Sequence, residues 1–367
     1  MAPLRSSSPT RSESDGPLKV FHIGTFLQDH VSDHLRTRGL RQAGCEVIDY
    51  DYRSRAKKLG GEGMGIEVLQ KVGSWKPDIV LINKGERLDP AIVRSIKQSA
   101  PRTFVALFFG DQRGMAVRDI ARLGAVCDML LLSNADELQF ECYRRLGVPR
   151  VMTWHTASDP DVYKPVKPDP AFECDVAFMG GNYSHFPDSA LRAKLMSLVA
   201  QSDLKLRVYG TNWGAGAPCF GKVYEKDFSI AVASAKVVLG INAYNDIDQY
   251  TSNRTWNVMC CGTAVYVTYA FEGMGGLFKN GVNLVSFNRI EKAVAVIQDL
   301  VDPRRDQDRT RIARAGRELV LAGHTYRHRA EELLAAHATW YEELNRSLGR
   351  GRTALELVEG SSKNIVG

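Results

Sequence analysis

Several hallmarks of common protein classes are missing from this 367-residue sequence. No apolar run approaches the ~20 residues that a membrane-spanning helix needs. The N-terminal MAPLRSSSPTRSESDG has no apolar core and is rich in serine and proline, so it predicts a disordered tail over residues 1–17 rather than a secretory signal. These absences favour a cytoplasmic protein without a transmembrane segment.

Patterns for disulfides, metals and dinucleotides are also missing. The seven cysteines are odd in number and irregularly spaced, which argues against a disulfide framework and predicts reduced thiols. No Cys-x-x-Cys pair occurs, and no His-x-x-x-His pair has a third ligand nearby, so no metal site is predicted. The first strand and loop lack Gly-x-Gly-x-x-Gly, which excludes the common dinucleotide fingerprint there.

The composition is that of a globular protein with a basic surface. Apolar residues make up 44% of the chain, charged residues 25%, and the net charge is +6. Such a charge suits an anionic ligand such as a nucleoside diphosphate. It also suits a nucleic acid or a membrane surface, so these partners stay open at this point.

Short apolar runs alternate with amphipathic stretches along most of the chain, which predicts an α/β protein with parallel sheets. Polar residues follow the predicted strands at their carboxyl ends, where open α/β sheets bind ligands. These residues are Thr25, Lys84, Asp111, Asn134 and His155. Residues 155–170 are dense in proline and aspartate and predict a linker between two domains.

The most informative stretch runs from Tyr250 to Phe287. A hydroxyl-rich loop precedes a short apolar helix that Gly262 ends, and Ser252 or Asn253 can cap that helix. Its unpaired N–H groups, its dipole and Arg254 could together bind a phosphate. An ordinary helix cap with an exposed arginine is the alternative interpretation.

The same stretch resembles the donor-site segment of GT-B glycosyltransferases, in particular the spore-maturation (CgeB-like) family. The matching residues are Arg254, Trp256, Cys261-Gly262 and Leu277-Phe278-Lys279-Asn280-Gly281, and Tyr326-Arg327-His328-Arg329 is similar to a later family signature. One residue departs from the family pattern: Asn257 stands where the family has a glutamate that is expected to bind the donor ribose. An asparagine can accept the same hydrogen bond but carries no charge.

The resemblance implies a GT-B fold, in which two Rossmann-like domains face each other across a cleft. The expected parts are a tail (1–17), an acceptor domain (18–157), a linker (158–172), a nucleotide-sugar domain (173–323), a terminal helix packing back toward the N-terminal domain (324–348) and a loose tail (349–367). The implied activity is metal-independent transfer of a sugar, such as a hexose, from a nucleoside-diphosphate sugar to an acceptor hydroxyl. A UDP-sugar is the first choice of donor. The acceptor is a carbohydrate, a small molecule or a nucleic acid.

The resemblance also implies site residues. The donor site would comprise Gly180, Gly181, Asn182, Asn212, Trp213, Val223, Tyr224, Ser252, Asn253, Arg254, Asn257, Glu272 and Gly273. The candidate catalytic residues are Asp111, His155, His30 and Arg254, with Asp33 as a further candidate base. Asp111 is the first choice as base, because it follows a buried strand at the cleft edge.

Other functions fit the same features. The enzyme could glycosylate modified nucleic-acid bases, which the basic charge permits. Asn257 instead favours a non-catalytic binding or coat-assembly protein that keeps the fold, and a sugar-phosphate epimerase of GT-B architecture is a more distant alternative.

Overall fold

The computed structural model describes residues 16–27, 32–111 and 114–363, with the side chains of residues 215 and 349–363 excepted. Most of the predicted tail over residues 1–17, namely 1–15, and the candidate residue His30 therefore lie outside the described residues. No helix in the described part of the chain is long and apolar enough to cross a membrane. All seven cysteines are described, and each is a free thiol.

The first sheet is parallel and has six strands. They are β1 (Lys19–Gly24), β2 (Glu46–Asp51), β3 (Ile79–Asn83), β4 (Phe104–Phe109), β5 (Met129–Leu132) and β6 (Val151–Thr153), in the spatial order β2-β1-β3-β4-β5-β6. Its helices are α1 (Ser32–Gln42), α2 (Tyr52–Trp75), α3 (Pro90–Ser99), α4 (Arg118–Gly124) and α5 (Glu137–Arg145). The central strands are apolar throughout because helices cover both faces of the sheet.

The second sheet is parallel and has five strands. They are β7 (Cys174–Met179), β8 (Leu206–Tyr209), β9 (Ala235–Gly240), β10 (Val265–Tyr269) and β11 (Val285–Phe287), in the order β11-β10-β9-β7-β8. Its helices are α6 (Ser189–Ala200), α7 (Glu225–Ala233), α8 (Asn253–Cys261), α9 (Met274–Leu277), α10 (Ala293–Val301) and α11 (Asp306–Gly323). Short 3₁₀ turns lie at Pro170–Phe172, Gly214–Gly216, Ile290–Lys292 and Pro303–Arg305.

Helix α12 (Tyr326–Lys363) leaves the second domain and packs on the first sheet. Its Leu333 and Trp340 share a hydrophobic core with Phe104 of β4. The two chain segments that cross between the domains bond to each other: Ser158 N donates to His324 O (3.1 Å), and Tyr326 N donates back to Ser158 O (3.1 Å).

One prediction about local structure was right in part, and one was wrong. The glycine cluster at 60–65 was expected to break the chain near a helix over 66–72, and the helical geometry is interrupted inside it at Gly60 (φ 73°), but α2 is helical on both sides of that kink, from Tyr52 to Trp75. The tail after Leu348 was expected to be loose, yet α12 continues to Lys363. Each of the several glycines in these two stretches costs a helix about 1 kcal/mol, and the good helix formers around them offset part of that cost.

Candidate functional site

The predicted anion site lies at the topological switch point of the second sheet. The chain runs from β7 to its neighbour β8 on one side and then to β9 on the other side of β7. The connections that leave β7 and β9 therefore run in opposite directions, and a crevice forms between the carboxyl ends of these two strands. Helix α8 begins directly above this crevice, and Arg254 is its second residue. The Arg254 guanidinium spans the crevice, since Nη1 donates to Met179 O (2.7 Å) and Nη2 to Ile241 O (2.8 Å).

A second arginine, Arg192 of α6, lies beside Arg254. Its guanidinium donates to the same Ile241 carbonyl, to Gly181 O (2.8 Å) and to Asn182 Oδ1 (3.3 Å). Burial, and then the positive charge of Arg254, lower the pKa of Arg192 to about 9. Within residues 16–27, 32–111 and 114–363, these two guanidinium groups bond to carbonyl and amide oxygens and form no ion pair with a carboxylate.

The polar atoms at the start of α8 are left without partners. Thr251 Oγ1, Ser252 Oγ, Arg254 Nε and Asn257 Oδ1 are buried and make no hydrogen bond within the described part of the chain. Buried polar groups in proteins are normally satisfied, and each exception asks for an explanation. Four such atoms beside two unneutralised cations are the environment that a bound polyanion with hydroxyl groups would complete.

The predicted capping of α8 differs in detail. The helix begins at Asn253, with Ser252 at the N-cap position, but the Ser252 hydroxyl makes no capping hydrogen bond. Neither side chain therefore satisfies the free N–H groups of the first turn in this way. Thr255 N donates to Ser252 O (3.1 Å), and the N–H groups that precede it in the first turn stay available to a ligand.

The structure brings Gly180, Gly181 and Asn182 to this crevice. Gly180 has a φ of 132°, and a Cβ atom there would lie 2.7 Å from Arg254 Nη1, so only glycine allows the guanidinium so close. Asn182 accepts from Arg192 and donates Nδ2 to Ser189 O (3.0 Å). The loop after β7 is thereby held in one conformation by side chains of the site.

The remaining donor-site candidates lie around the ends of β8 and β10. Trp213 is buried, packs edge-on against Phe178 and donates Nε1 to Gly180 O (2.8 Å), so its ring supports the crevice from below. Asn212 and Tyr224 are exposed, and Val223 is half-buried. Contact between these side chains and a nucleobase stays a prediction.

The turn that holds Glu272 and Gly273 packs on the loop before α8. Glu272 N donates to Asn245 O (2.8 Å), and Gln249 N donates to Glu272 O (2.9 Å). Gly273 has a φ of 68°, and a Cβ atom there would meet Asp248 Oδ1 at 1.7 Å. Glu272 itself is exposed.

The loop from Ile241 to Ser252 also reaches the first domain. Ala135 N donates to Asp248 O (2.9 Å), and Thr156 Oγ1 donates to Thr251 O (3.4 Å). Burial, and then the charge of Asp111, raise the pKa of Tyr250 to about 12. The charge of Asp111, in the first domain, therefore acts on Tyr250, which is close in sequence to Arg254.

The candidate bases occupy different environments. Asp111 is half-exposed and pairs with Lys84 Nζ (2.5 Å). His155 is buried, donates Nδ1–H to Ser133 O (3.3 Å), and has its pKa lowered to about 4 by burial and then by Arg329. His155 is enclosed by the protein, whereas Asp111 is accessible to an acceptor.

Asp33 does not fit the suggested role of a base. It is buried and accepts hydrogen bonds from Thr25 N (2.8 Å), from Asn83 Nδ2 (2.7 Å) and from Arg36. Burial acts to raise its pKa, but Arg36 and the other donors outweigh that effect, so the pKa lies below its usual range. Its oxygens are occupied within the protein, and no acceptor can reach them.

Arg192 was missed from the sequence, although a signal was present. It stands on α6 at the spacing of the buried residues Leu195, Met196 and Val199, which places an arginine on the apolar face. A charged residue at such a position is rarely buried without a partner. The prediction of a helix there was right, but its apolar face was assumed to be only a packing surface.

Among the described residues, no group of three or more histidine, cysteine, aspartate or glutamate side chains is arranged to hold a metal ion.

Residues 192–335 match the family model described as glycosyl transferase-like. None of the curated proteins compared with the chain matches it. Solved structures share the fold at low identity. Anabaena HepE in complex with UDP and glucose has 9% identity and a TM-score of 0.61 over 88% of this chain and 100% of its own. A glycosyltransferase from Rickettsia africae has 10% identity and a TM-score of 0.61 over 88% and 98%.

A third similar structure, sucrose-phosphate synthase from Thermosynechococcus elongatus, has 12% identity and a TM-score of 0.60 over 91% of this chain and 100% of its own. At these identities the structural likeness establishes the fold alone. The predicted fold class is confirmed: the chain has a GT-B fold made of two Rossmann-like α/β domains. Together with the family match over residues 192–335, this fold supports a GT-B glycosyltransferase.

Proposed function

We propose that the protein transfers a sugar from a nucleoside-diphosphate sugar to an acceptor hydroxyl. The observation that carries the proposal is the pair of unneutralised guanidinium groups, Arg192 and Arg254, at the switch point of the second sheet. UDP and UDP-glucose bound to HepE support a UDP-sugar as the donor class.

The proposed chemistry follows from where charge develops. The bond between the sugar C1 and the diphosphate breaks, a bond from C1 to the acceptor oxygen forms, the diphosphate leaves, and the acceptor hydroxyl loses its proton. Arginine and a helix N-terminus stabilise the departing anion if they are already in place. Arg254 suits this role, since two of its five N–H donors bond to carbonyls and its Nε is unpartnered in the described part of the chain.

Arg192 is proposed as a positioning residue. Three of its nitrogens bond to protein oxygens, so Arg192 fixes the loop after β7. It adds positive potential at the site but has fewer N–H groups left to donate to a ligand. The two positive charges match a diphosphate, and this match is our ground for proposing metal-independent transfer. The predicted cytoplasmic location goes with a nucleotide-sugar donor.

For a transfer that inverts the configuration at the sugar C1, Asp111 is proposed as the base that takes the proton from the acceptor hydroxyl. It is half-exposed, pairs with Lys84 and lies close enough to Tyr250 to act on its pKa. His155 and His30 are proposed as neighbouring positioning residues on the basis of the sequence alone.

Membership of the CgeB-like family is likewise a proposal, based on the motif around Arg254 and Trp256. Trp256 is fully buried and stacks on His324, at 4.1 Å between ring centroids, which anchors α8 to the segment that crosses back to the first domain. Asn257 is proposed to accept a hydrogen bond from the ribose through its unpartnered Oδ1.

The central test is Arg254→Ala. We expect UDP to bind at least tenfold more weakly, because a charge-assisted hydrogen bond contributes about 1.5–3 kcal/mol. The melting temperature should change little, since Ile241 O keeps its bond to Arg192 and the repulsion between the two arginines disappears. Calorimetric titration with UDP measures the affinity.

Arg314→Ala is the matched control, because Arg314 is exposed on α11 and pairs only with Glu318 among the ion pairs of the described residues. UDP affinity should not change in this variant. Equal affinities for wild type and Arg254→Ala would rule out the assignment of the diphosphate site.

A non-catalytic binding role is the second candidate, and the uncharged Asn257 favours it. A panel of nucleotide sugars with donor hydrolysis as the readout separates the two functions. Binding of UDP without turnover of any donor would favour the binding protein.

A further inference from the structure

The largest cavity that we describe, about 700 Å³, lies in the first domain and plays no part in the donor site. It opens between α2, α3 and α4, at the side of the sheet where the loop after β3 emerges. Its apolar walls come from Ile66, Ile92, Ile120 and Leu123. Ile120 and Leu123 are buried in the domain core, whereas Ile66 is 51% exposed at the mouth.

The glycine cluster on α2 creates this space. Gly61 lines the cavity, and a Cβ atom there would meet no other atom within 4 Å. At Gly65 a Cβ atom would lie only 2.4 Å from Ile92 Cδ1, so the missing side chain lets α2 and α3 touch beneath the cavity. Gly61 therefore leaves the cavity open, and Gly65 allows the contact between α2 and α3 that forms the bottom of the cavity.

The charges around the cavity favour an uncharged occupant. Asp119 and Arg122 face each other on the surface at 3.9 Å, and Asp89 caps α3 through Ala91 N (2.7 Å). Glu86 pairs with Arg53 and accepts from Tyr52. Glu62 and Arg87 also line the cavity, so its rim carries charges of both signs, in contrast to the cationic donor site.

The cavity lies next to the candidate base. Gly85 lines it, and the preceding residue, Lys84, donates its backbone N–H to Phe108 O (2.8 Å) and its Nζ to Asp111 (2.5 Å). Lys84 thus links the loop that lines the cavity to Asp111. The volume is in the range of pockets that enclose drug-sized ligands.

We propose that the acceptor is amphipathic and that this cavity binds its apolar part, an alkyl or aryl group, while its hydroxyl-bearing part extends toward Asp111. This inference rests on the proposed transfer function and defines its acceptor class. A free hexose or a polyanionic nucleic acid would leave the apolar walls exposed to water, at a cost proportional to the exposed area.

The test uses hexyl and octyl β-glucosides below their micelle-forming concentrations, with glucose for comparison. Binding is measured by calorimetry on the full chain. Each methylene moved from water into the cavity should strengthen binding about threefold to fourfold, so octyl glucoside should bind roughly tenfold more tightly than hexyl glucoside.

Two variants on α2 localise the effect. Gly61→Leu places a side chain in the cavity from a position where a Cβ atom meets nothing within 4 Å, and we expect it to reduce the dependence on chain length. Gly73→Leu is the matched control on the same helix, because it also has nothing within 4 Å of its Cβ position but does not line the cavity. It should retain the full dependence.

Wild type without any chain-length dependence would overturn the inference, and so would an equal dependence in both variants. UDP is titrated into the same three proteins. If wild type binds UDP tightly but binds the two alkyl glucosides equally well, only the proposed acceptor class is rejected. If wild type does not bind UDP, the proposed function itself is rejected.

Discussion

The two sheets reverse their strand order at comparable places, yet the polar groups at these places differ. In the first sheet the switch point lies between β1 and β3, and Asp33 fills it by bonding to Thr25 N and to Asn83 Nδ2. In the second sheet the switch point lies between β7 and β9, and Arg254 spans it by bonding to two carbonyls.

The difference lies in charge balance. Asp33 is buried with Arg36 as its counterion, and Arg36 also stacks over Phe108, 4.6 Å from the ring centroid. Arg254 is beside another cation, Arg192, and four polar atoms nearby lack partners in the described part of the chain. A switch point whose buried charge is neutralised stabilises the fold, whereas a cationic one with unpartnered polar atoms is suited to an anionic ligand.

The largest difference between the two switch points is expected when Asp33 is replaced. We expect Asp33→Ala to lower the free energy of unfolding by about 3–5 kcal/mol, because it leaves the Arg36 charge buried without its counterion. Urea denaturation measures this loss. Arg254→Ala should do the opposite, lowering UDP affinity while sparing stability.

Asp161→Ala is the control for an exposed aspartate. It pairs with Arg38 at 2.5 Å, but its side chain is 60% exposed, so its removal should cost less than about 1 kcal/mol. If Asp33→Ala were as stable as Asp161→Ala, the first switch point would not be the structural centre that we describe.

A smaller effect is expected from pH. Burial lowers the pKa of His22 to about 4 despite the nearby Asp33, so this histidine is neutral in the folded protein at pH 5, while the unfolded chain protonates below about pH 6.5. Stability from this group is therefore present at pH 7 and is lost as the pH falls from about 6.5 to about 4.

The variant His22→Gln isolates this contribution. Between pH 7 and pH 5, wild type should lose about 2 kcal/mol more unfolding free energy than the variant. Denaturation curves at the two pH values measure the difference, with His185→Gln on the surface as the control. An identical pH dependence in wild type and His22→Gln would contradict the expectation.

The smallest expected effect is a change in ligand affinity on replacing Asn257, which lies near the switch point of the second sheet. If its buried Oδ1 binds the ribose, Asn257→Ala should weaken UDP and uridine equally, by about fivefold, the value of one neutral hydrogen bond of about 1 kcal/mol. Arg254→Ala should affect UDP but not uridine. Weakening of inorganic pyrophosphate by Asn257→Ala would place this side chain on the diphosphate instead.

Local patterns carried much of the architecture. The apolar run over residues 78–83 predicted a strand buried on both faces, which is observed at Ile79–Asn83, and Gly262 predicted the end of α8, where it adopts a φ of 66°. These features depend on neighbouring residues only, so a sequence displays them directly. The full length of α2 on both sides of its kink was not predicted, because its packing on α3 outweighs the low helix propensity of its glycines.

The sequence alone determined the order of strands and helices and the position of the predicted phosphate-binding motif at Arg254, because hydrophobic periodicity and helix capping are local. Only the tertiary structure decided that Arg192 joins Arg254 and that Asp33 is enclosed by its partners. The reason is physical: whether a charge is neutralised depends on groups brought together by folding, and residues 192 and 254 meet only across the end of the second sheet.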